Sequence, residues 1–384
     1  MHIRLLGLLI AVLVLAMACG GSGSSATSTP VAPTAKVQAQ LDVPQICVDA
    51  KAKGGAPVKV VLLSSIYVGW MPHQYMNESG ILADWGKKCN VEFDFAMATD
   101  YISSIEAFVA GKADGVAMTN MEALNMAAAA GVDSTAVING DTSHGNDAVI
   151  SRTTQNLCDL KGQKVFLVEL SVSHYLLARG LQDQCKMGEA DLTIVNMSDS
   201  DIGPAFLSSK DMGTVVTWNP IVLQILSQDS LAKNVFNSSN IRGEIIDTFY
   251  VRTDLLQAHP EAGVALAGAW YEVMQVMTAK DVNRDQALTA MAEASGDTLE
   301  GYKKQLETTN MFWEPSDAVA FTKNPDLAKT MDLVRTFSFE HELLGQGVTS
   351  PDQIGIQFAD GSVLGDPKNV KLRFTAKYMD AVKK

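Results

Sequence analysis

The chain has 384 residues, 47% hydrophobic and 19% charged, which is enough apolar surface for a folded protein of two domains and too much for a disordered one. Lys and Arg number 30 against 43 Asp and Glu, a net charge of −13 at pH 7. With no basic stripe, the composition argues against a nucleic-acid partner and against attachment to anionic lipid through a polybasic face.

The chain opens on Met1-His2-Ile3-Arg4 and an apolar run from Leu5 to Ala18. That run is shorter than the roughly 20 residues a spanning helix needs, so it reads as the core of a signal peptide, residues 1–18. Ala16-Met17-Ala18 fits ordinary cleavage, while Ala18-Cys19 followed by Gly-Gly-Ser-Gly resembles a bacterial lipobox, with Cys19 diacylated. The lipoprotein is the favoured reading, because Gly20 to Lys36 is a Ser/Thr/Gly/Pro segment without apolar periodicity. Residues 19–56 are accordingly expected to be a lipid-anchored cysteine and a flexible tether, placing an exported protein on the outer face of the cytoplasmic membrane or in the periplasm. The remaining cysteines, Cys47, Cys89, Cys158 and Cys185, are even in number, as disulfides in an oxidising compartment would be. Three pairings are open; Cys47–Cys89 with Cys158–Cys185 is the expected one, since each pair then stays inside one domain. No pair has C-x-x-C spacing, so no metal is expected.

From Val58 onward short apolar runs alternate with amphipathic ones. Strands are expected at Val58–Leu63, Val91–Ala96, Gly115–Met118 and Ser134–Ile138, and helices within Met71–Lys88, at Tyr101–Ala110 and at Met121–Ala130. The pattern restarts with strands at Ala148–Ser151, Lys164–Val168, Leu192–Val195 and Thr214–Thr217, and with helices at Ser173–Gln184, Ser198–Leu207 and Ile221–Ser227. Glu244–Val251 reads as a strand returning to the first unit, and the chain is then largely helical. The expected fold class is therefore α/β and bilobed. Two doubly wound lobes meet at a hinged cleft, residues 57–147 with 248–384 forming lobe 1 and 148–247 lobe 2, with a helical C-terminal extension. In such folds a ligand sits at the carboxyl ends of strands, in the cleft.

Catalytic signatures are absent: there is no G-x-x-x-x-G-K-[ST], no G-x-S-x-G, and no G-x-G-x-x-G after a strand. His341-Glu342 begins like a zincin motif, but Gly345 stands where the second His should be. Asp199 and Asp201 read as helix-start residues. Polar cleft residues without a catalytic constellation favour binding over turnover, with no cofactor.

Several segments resemble the periplasmic substrate-binding proteins of ABC importers. They are Ser65-Ile-Tyr-Val-Gly-Trp-Met-Pro72, Thr119-Asn-Met-Glu-Ala123, Gly131-Val-Asp-Ser-Thr-Ala136, Asn146-Asp147, Val168-Glu-Leu-Ser-Val-Ser-His-Tyr175 and Thr217-Trp-Asn-Pro220, with Asn310-Met-Phe-Trp-Glu-Pro315 further on. The broad group resembled is the nitrate/sulfonate/taurine type, and the nearer branch is the one associated with urea carboxylase operons and with urea or guanidine uptake. The resemblance implies the type II binding-protein fold, a monomer, and delivery of a solute to a permease driven by a separate ATPase. It leaves two alternatives, an anion-binding protein of the sulfonate/nitrate kind and an enzyme like the pyrimidine-synthesising relatives.

Nitrate or sulfonate would want Arg or Lys forks and helix N-termini, yet the six cleft segments contain neither Lys nor Arg. They carry Glu122, Asp147 and Glu169 with the aromatics Tyr67, Trp70, Tyr175 and Trp218, a set suited to a small cation such as guanidinium. Glu169 and Ser173 lead the expected contacts, Glu169 because it ends a strand just before the Ser171-Val-Ser173 helix start. Urea is the competitor, and its carbonyl would need donors such as Asn120, Asn219, Ser171 or His174. The expected ligand-binding set is thus Tyr67, Trp70, Asn120, Glu122, Asp147, Glu169, Ser171, Ser173, His174, Trp218 and Asn219.

Overall fold

A computed structural model describes residues 41–98 and 100–383, so the expected signal peptide, Cys19 and the first part of the expected tether lie outside the described residues. The second part of that tether is folded. Helix α1 (Gln45–Lys53) buries only Cys47, which is disulfide-bonded to Cys89 at the end of a later helix. A polar helix with one buried side chain carries no periodic signal, and a covalent bond, not an apolar stripe, fixes it.

The first sheet begins with β1 (Val58–Ser64), β2 (Val91–Met97), β3 (Gly115–Thr119) and β4 (Ser134–Ser143). The chain then leaves for a second sheet of β5 (Asp147–Ser151), β6 (Lys164–Leu167), β7 (Thr193–Asn196), β8 (Thr214–Trp218) and β9 (Lys233–Asn237). It returns with β10 (Ile246–Arg252) and adds β11 (Thr309–Met311), β12 (Gly355–Gln357), β13 (Val363–Leu364) and β14 (Val370–Phe374). The orders are β13-β12-β14-β4-β10-β3-β1-β2, with β11 on β4, and β7-β6-β8-β5-β9. Every residue of β3, β4, β5 and β8 is buried, as expected for strands covered on both faces, whereas β2 at the sheet edge alternates.

The helices that frame the cleft are α2 (Met71–Glu78), α3 (Ile81–Cys89), α4 (Tyr101–Val109), the single turn α5 (Asn120–Glu122), α6 (Val172–Gly180), α7 (Asp199–Ser208) and α8 (Ile221–Gln228). A π-helical stretch, Ala123–Ala128, continues α5. Local chemistry starts them. Asp100 accepts the Ser103 amide at 2.7 Å to begin α4, and the Thr119 hydroxyl accepts the Met121 amide to begin α5. After β10 come α9 (Thr253–Ala258), the long buried α10 (Pro260–Thr278), α11 (Val282–Ala294), α12 (Leu299–Leu306), α13 (Pro315–Thr322) and α14 (Asp326–Glu340).

Both sheets are mixed. β10 runs antiparallel to β3 and β4, and β5 antiparallel to β8 and β9, because each belongs to a segment that crosses between lobes. The crossings are tied together: Ser143 and Ser238 share a hydroxyl hydrogen bond of 2.6 Å, and Gly145, at φ 106°, donates its amide to Ser238 Oγ. On the second crossing Glu244 is gripped by the Arg179 guanidinium at 2.9 and 3.0 Å and by the Tyr175 hydroxyl.

The second disulfide, Cys158–Cys185, closes a 27-residue separation within the second lobe, and the first closes 42. Replacing Cys47 and Cys89 together with Ser removes a loop constraint of about 4 kcal/mol, so chemical denaturation should show a stability loss of about 2–4 kcal/mol and limited proteolysis should cut first near α1.

Candidate functional site

The antiparallel entry of β10 sets the site. Its first residues lie beside the last residues of β3 and β4, so Thr119, Asp247 and Asp141 stand in one row across three strands. Asp147, first in β5, faces Trp218, last in β8. These strand ends enclose a small cavity, floored by Asp247, Asp147, Asn146 and Thr119 and walled by Tyr67, Trp70, Tyr101 and Trp218, with Val172 and Ile245 completing it. The space open to the centres of water-sized atoms is about 20 Å³. That space is enough for the four heavy atoms of a trigonal C–N species, whose outer atoms lie about 1.3 Å from its centre.

The aromatic rings form a box. Tyr67 meets Trp70, Trp218 and Tyr101 edge-on, with centroids 4.8, 5.2 and 5.6 Å away, and Trp70 lies 5.3 Å from Tyr101. Trp70 and Trp218 each hold a buried indole N–H without a partner. Tyr67 also spans the lobes, its hydroxyl donating to Asp199 Oδ2 on α7 at 2.9 Å. Asp199 was expected only to begin its helix.

The acidic groups differ sharply in how they are satisfied. Glu122 is fully buried; its Oε2 accepts the Tyr101 hydroxyl at 3.0 Å and the Thr119 hydroxyl, and its Oε1 accepts the Val172 amide at 2.9 Å. This carboxyl of the first lobe therefore fills the N-terminus of α6 in the second, the position an oxyanion would take. Asp147 accepts the Ser143 hydroxyl at 2.5 Å. Asp141 is fully buried and meets no fixed donor, so its one side-chain partner is the Asp247 carboxyl, to which it can donate only when protonated; the loop after β1 passes so close that any side chain at Gly69 would collide with it.

Crowding carboxyls away from water disfavours their charged forms. Burial pushes Asp147 up to about 6, and burial with the neighbouring Asp147 charge pushes Asp247 up to about 7. Burial and then the Asp247 charge hold Asp141 well above the usual carboxylate range, and burial raises Glu122. No Lys, Arg or His lines the cavity to offset them. The arrangement can accept hydrogen bonds from a small donor-rich cation and neutralise its charge.

Of the eleven expected contacts, Tyr67, Trp70, Asp147 and Trp218 line the cavity, and Glu122 lies directly behind Tyr101 and Thr119. Glu169 does not: it is exposed, with only its amide engaged, by Asn196, because the turn after β6 directs it to solvent and Glu122 takes the helix start instead. Ser171 caps α6, while Ser173 is buried there with its hydroxyl unpartnered. Asn120 holds the returning backbone through Glu244 O and the Ile246 amide, and Asn219 caps α8 at Leu223 and binds Thr308. His174 faces Glu189 and His341, outside the cavity. Sequence reasoning missed Tyr101, Asp141 and Asp247. For the two acids the available signal was an Asp inside each of two strand-like segments, Ile138-Asn-Gly-Asp141 and Ile246-Asp247-Thr248-Phe249.

Two α/β lobes joined by paired crossings around a cavity at strand ends define the periplasmic-binding-protein fold. The chain belongs to the NMT1/THI5-like family, whose profile matches residues 83–283. Among solved structures it is similar to the alkanesulfonate-binding protein SsuA from Xanthomonas axonopodis pv. citri bound to MOPS (15% identity, 76% of this chain and 96% of that one, TM-score 0.63). It is similar also to the periplasmic aliphatic sulphonate binding protein SsuA from Escherichia coli (16%, 76% and 96%, 0.62) and to the desulfurization enzyme DSZB (13%, 77% and 95%, 0.52). At these identities the likeness is one of fold. No curated protein matches the chain in sequence.

Because Asp147 and Asp247 hold protons in the folded state that they release when unfolded, the native state binds more protons between about pH 4 and 7, and stability without ligand falls as pH rises through that window. Asp141→Asn should raise the melting temperature at pH 7.5, equivalent to about 1–2 kcal/mol, and flatten this pH dependence, because an amide donates to Asp247 without the proton that Asp141 must take up on folding. Melting curves of both proteins between pH 5 and 8 check this.

Proposed function

We propose that this chain is the solute-binding protein of an ABC importer and that it captures a small planar cation, guanidinium being the best fit. The observation that carries this is the pairing of an aromatic box with buried carboxyls around a cavity that no basic side chain lines. Guanidinium presents N–H donors in forks that match carboxylates, and its faces can lie against aromatic rings. Glu122 at the start of α6 weighs against nitrate or sulfonate, since an anion there would displace or oppose it. Urea is the second reading, favoured by the unpaired indole N–H groups of Trp70 and Trp218, which its carbonyl oxygen could accept.

Capture requires both lobes, because the walls come from Tyr67, Trp70 and Tyr101 on one and from Val172 and Trp218 on the other. The solute would then pass to a permease energised by a separate ATPase, from a monomer anchored at the membrane through Cys19. Binding rather than catalysis is supported by the lining, which contains no Cys, Ser or His.

Calorimetric titration at pH 7.5 with guanidinium, urea, taurine and nitrate tests the reading. Guanidinium should bind saturably and most tightly, and Asp247→Asn should weaken it by about 10–100-fold, as expected for a lost buried charge-assisted hydrogen bond, while affecting urea less. Saturable binding of the anions alone would overturn it.

A further inference from the structure

Away from the cavity, three residues distant in sequence meet: His174 in α6, Glu189 in the turn before β7, and His341 just after α14. One ligand atom from each lies within 4.8 Å of the others. His341 Nε2 lies 2.5 Å and His174 Nε2 3.6 Å from the same oxygen, Glu189 Oε1. The side chains of His174, Glu189 and His341 are 5%, 24% and 22% exposed, so the site is sheltered with one open side.

Three further features suit a metal centre. His341 Nδ1 lies 2.8 Å from the Phe337 carbonyl, which fixes a proton there, so Nε2, which donates to Glu189 in this structure, is the nitrogen that can bind an ion once its own proton leaves. The Phe337 ring stacks on His341 at 4.0 Å and meets His174 edge-on at 5.8 Å, locking both imidazoles. His174 Nε2 is buried without a hydrogen-bond partner. We propose that His174, Glu189 and His341 form a site for a divalent transition-metal ion of the zinc type, completed by water.

Ligand atoms around a tetrahedral zinc ion at 2.0–2.1 Å stand about 3.3 Å apart, so the His174–Glu189 spacing already fits and His341 must withdraw by about 0.8 Å. His174 Nδ1 accepts the Leu170 amide at 3.1 Å in the metal-free protein, which places the ring proton on Nε2. Coordination through Nε2 shifts that proton to Nδ1 and releases the Leu170 amide. Leu170 is exposed and stands at φ 65° in a turn, so water can take over its amide. His174 and Glu189 belong to the second lobe. His341 follows α14, which is anchored on the first through Asn120 and Met331. A bound ion would therefore clamp the lobes together.

Tag-free protein, stripped of metal with a chelator, should be titrated with Zn²⁺ in a calorimeter and by equilibrium dialysis. One ion per chain is expected to bind with a Kd of about 10 μM or tighter, with His341→Ala weakening it at least about 100-fold and Glu189→Gln about 10-fold. His341→Gln serves if the alanine variant melts abnormally. No stoichiometric binding below about 100 μM Zn²⁺, or affinity unchanged by His341 and Glu189 substitution, would overturn the proposal.

Discussion

Carboxyl groups buried together without a cation are the constraint on which the cleft depends. Asp141 and Asp247 face each other across two strands, Asp147 stands at the crossing, and Glu122 seals the start of α6. Glu122 has three donors and is satisfied, whereas Asp141 has no donor and meets only the carboxyl of Asp247. A buried acid without a partner is costly unless it is protonated or meets a positive charge. The folded scaffold bears that cost through its surroundings: β3, β4 and β10 are packed among fully buried strands, and their backbone pairing places the acids in register whether or not they are neutralised.

The same residues tie the cavity to the lobe geometry. Glu122 and Tyr67 reach across the cleft, to the Val172 amide and to Asp199, while Arg179 and Tyr175 hold Glu244 on the second crossing. The Glu122 and Tyr67 contacts exist only while the lobes are apposed, so a positive charge that stabilised the acids between them would also favour the closed arrangement. The likeness in fold to sulfonate-binding proteins and to a desulfurization enzyme assigns neither a ligand nor a reaction to this cavity, since function resides in the side chains set on the fold.

Much of this was legible in the sequence. The apolar runs at Val58, Gly115, Ala148 and Thr214 are strands, and the restart of the pattern after Ser143 marks the second lobe, because strands buried on both faces must read as continuous apolar segments. Helix α1 was not, since a disulfide fixes it. Tyr67, Trp70, Trp218 and Asp147, which line the cavity, stand in strand-end loops that are visible as motifs. Glu169 stands before a helix as expected and yet outside the cavity, because whether the turn after β6 directs it inward depends on packing that periodicity does not encode. Asp141 and Asp247 escaped because they lie within strands rather than in loops, and only the pairing of β4 with β10, distant in sequence, makes neighbours of them.

Proton release on ligand binding tests the central claim most directly. If the cavity receives a cation among carboxyls that hold protons, guanidinium binding near pH 6.5 must expel some of them, because Asp147 and Asp247 titrate near 6 and 7. Calorimetry in buffers of differing ionisation heat measures the number released. The account predicts a clear positive release, and binding that releases no protons, or takes them up, would contradict it.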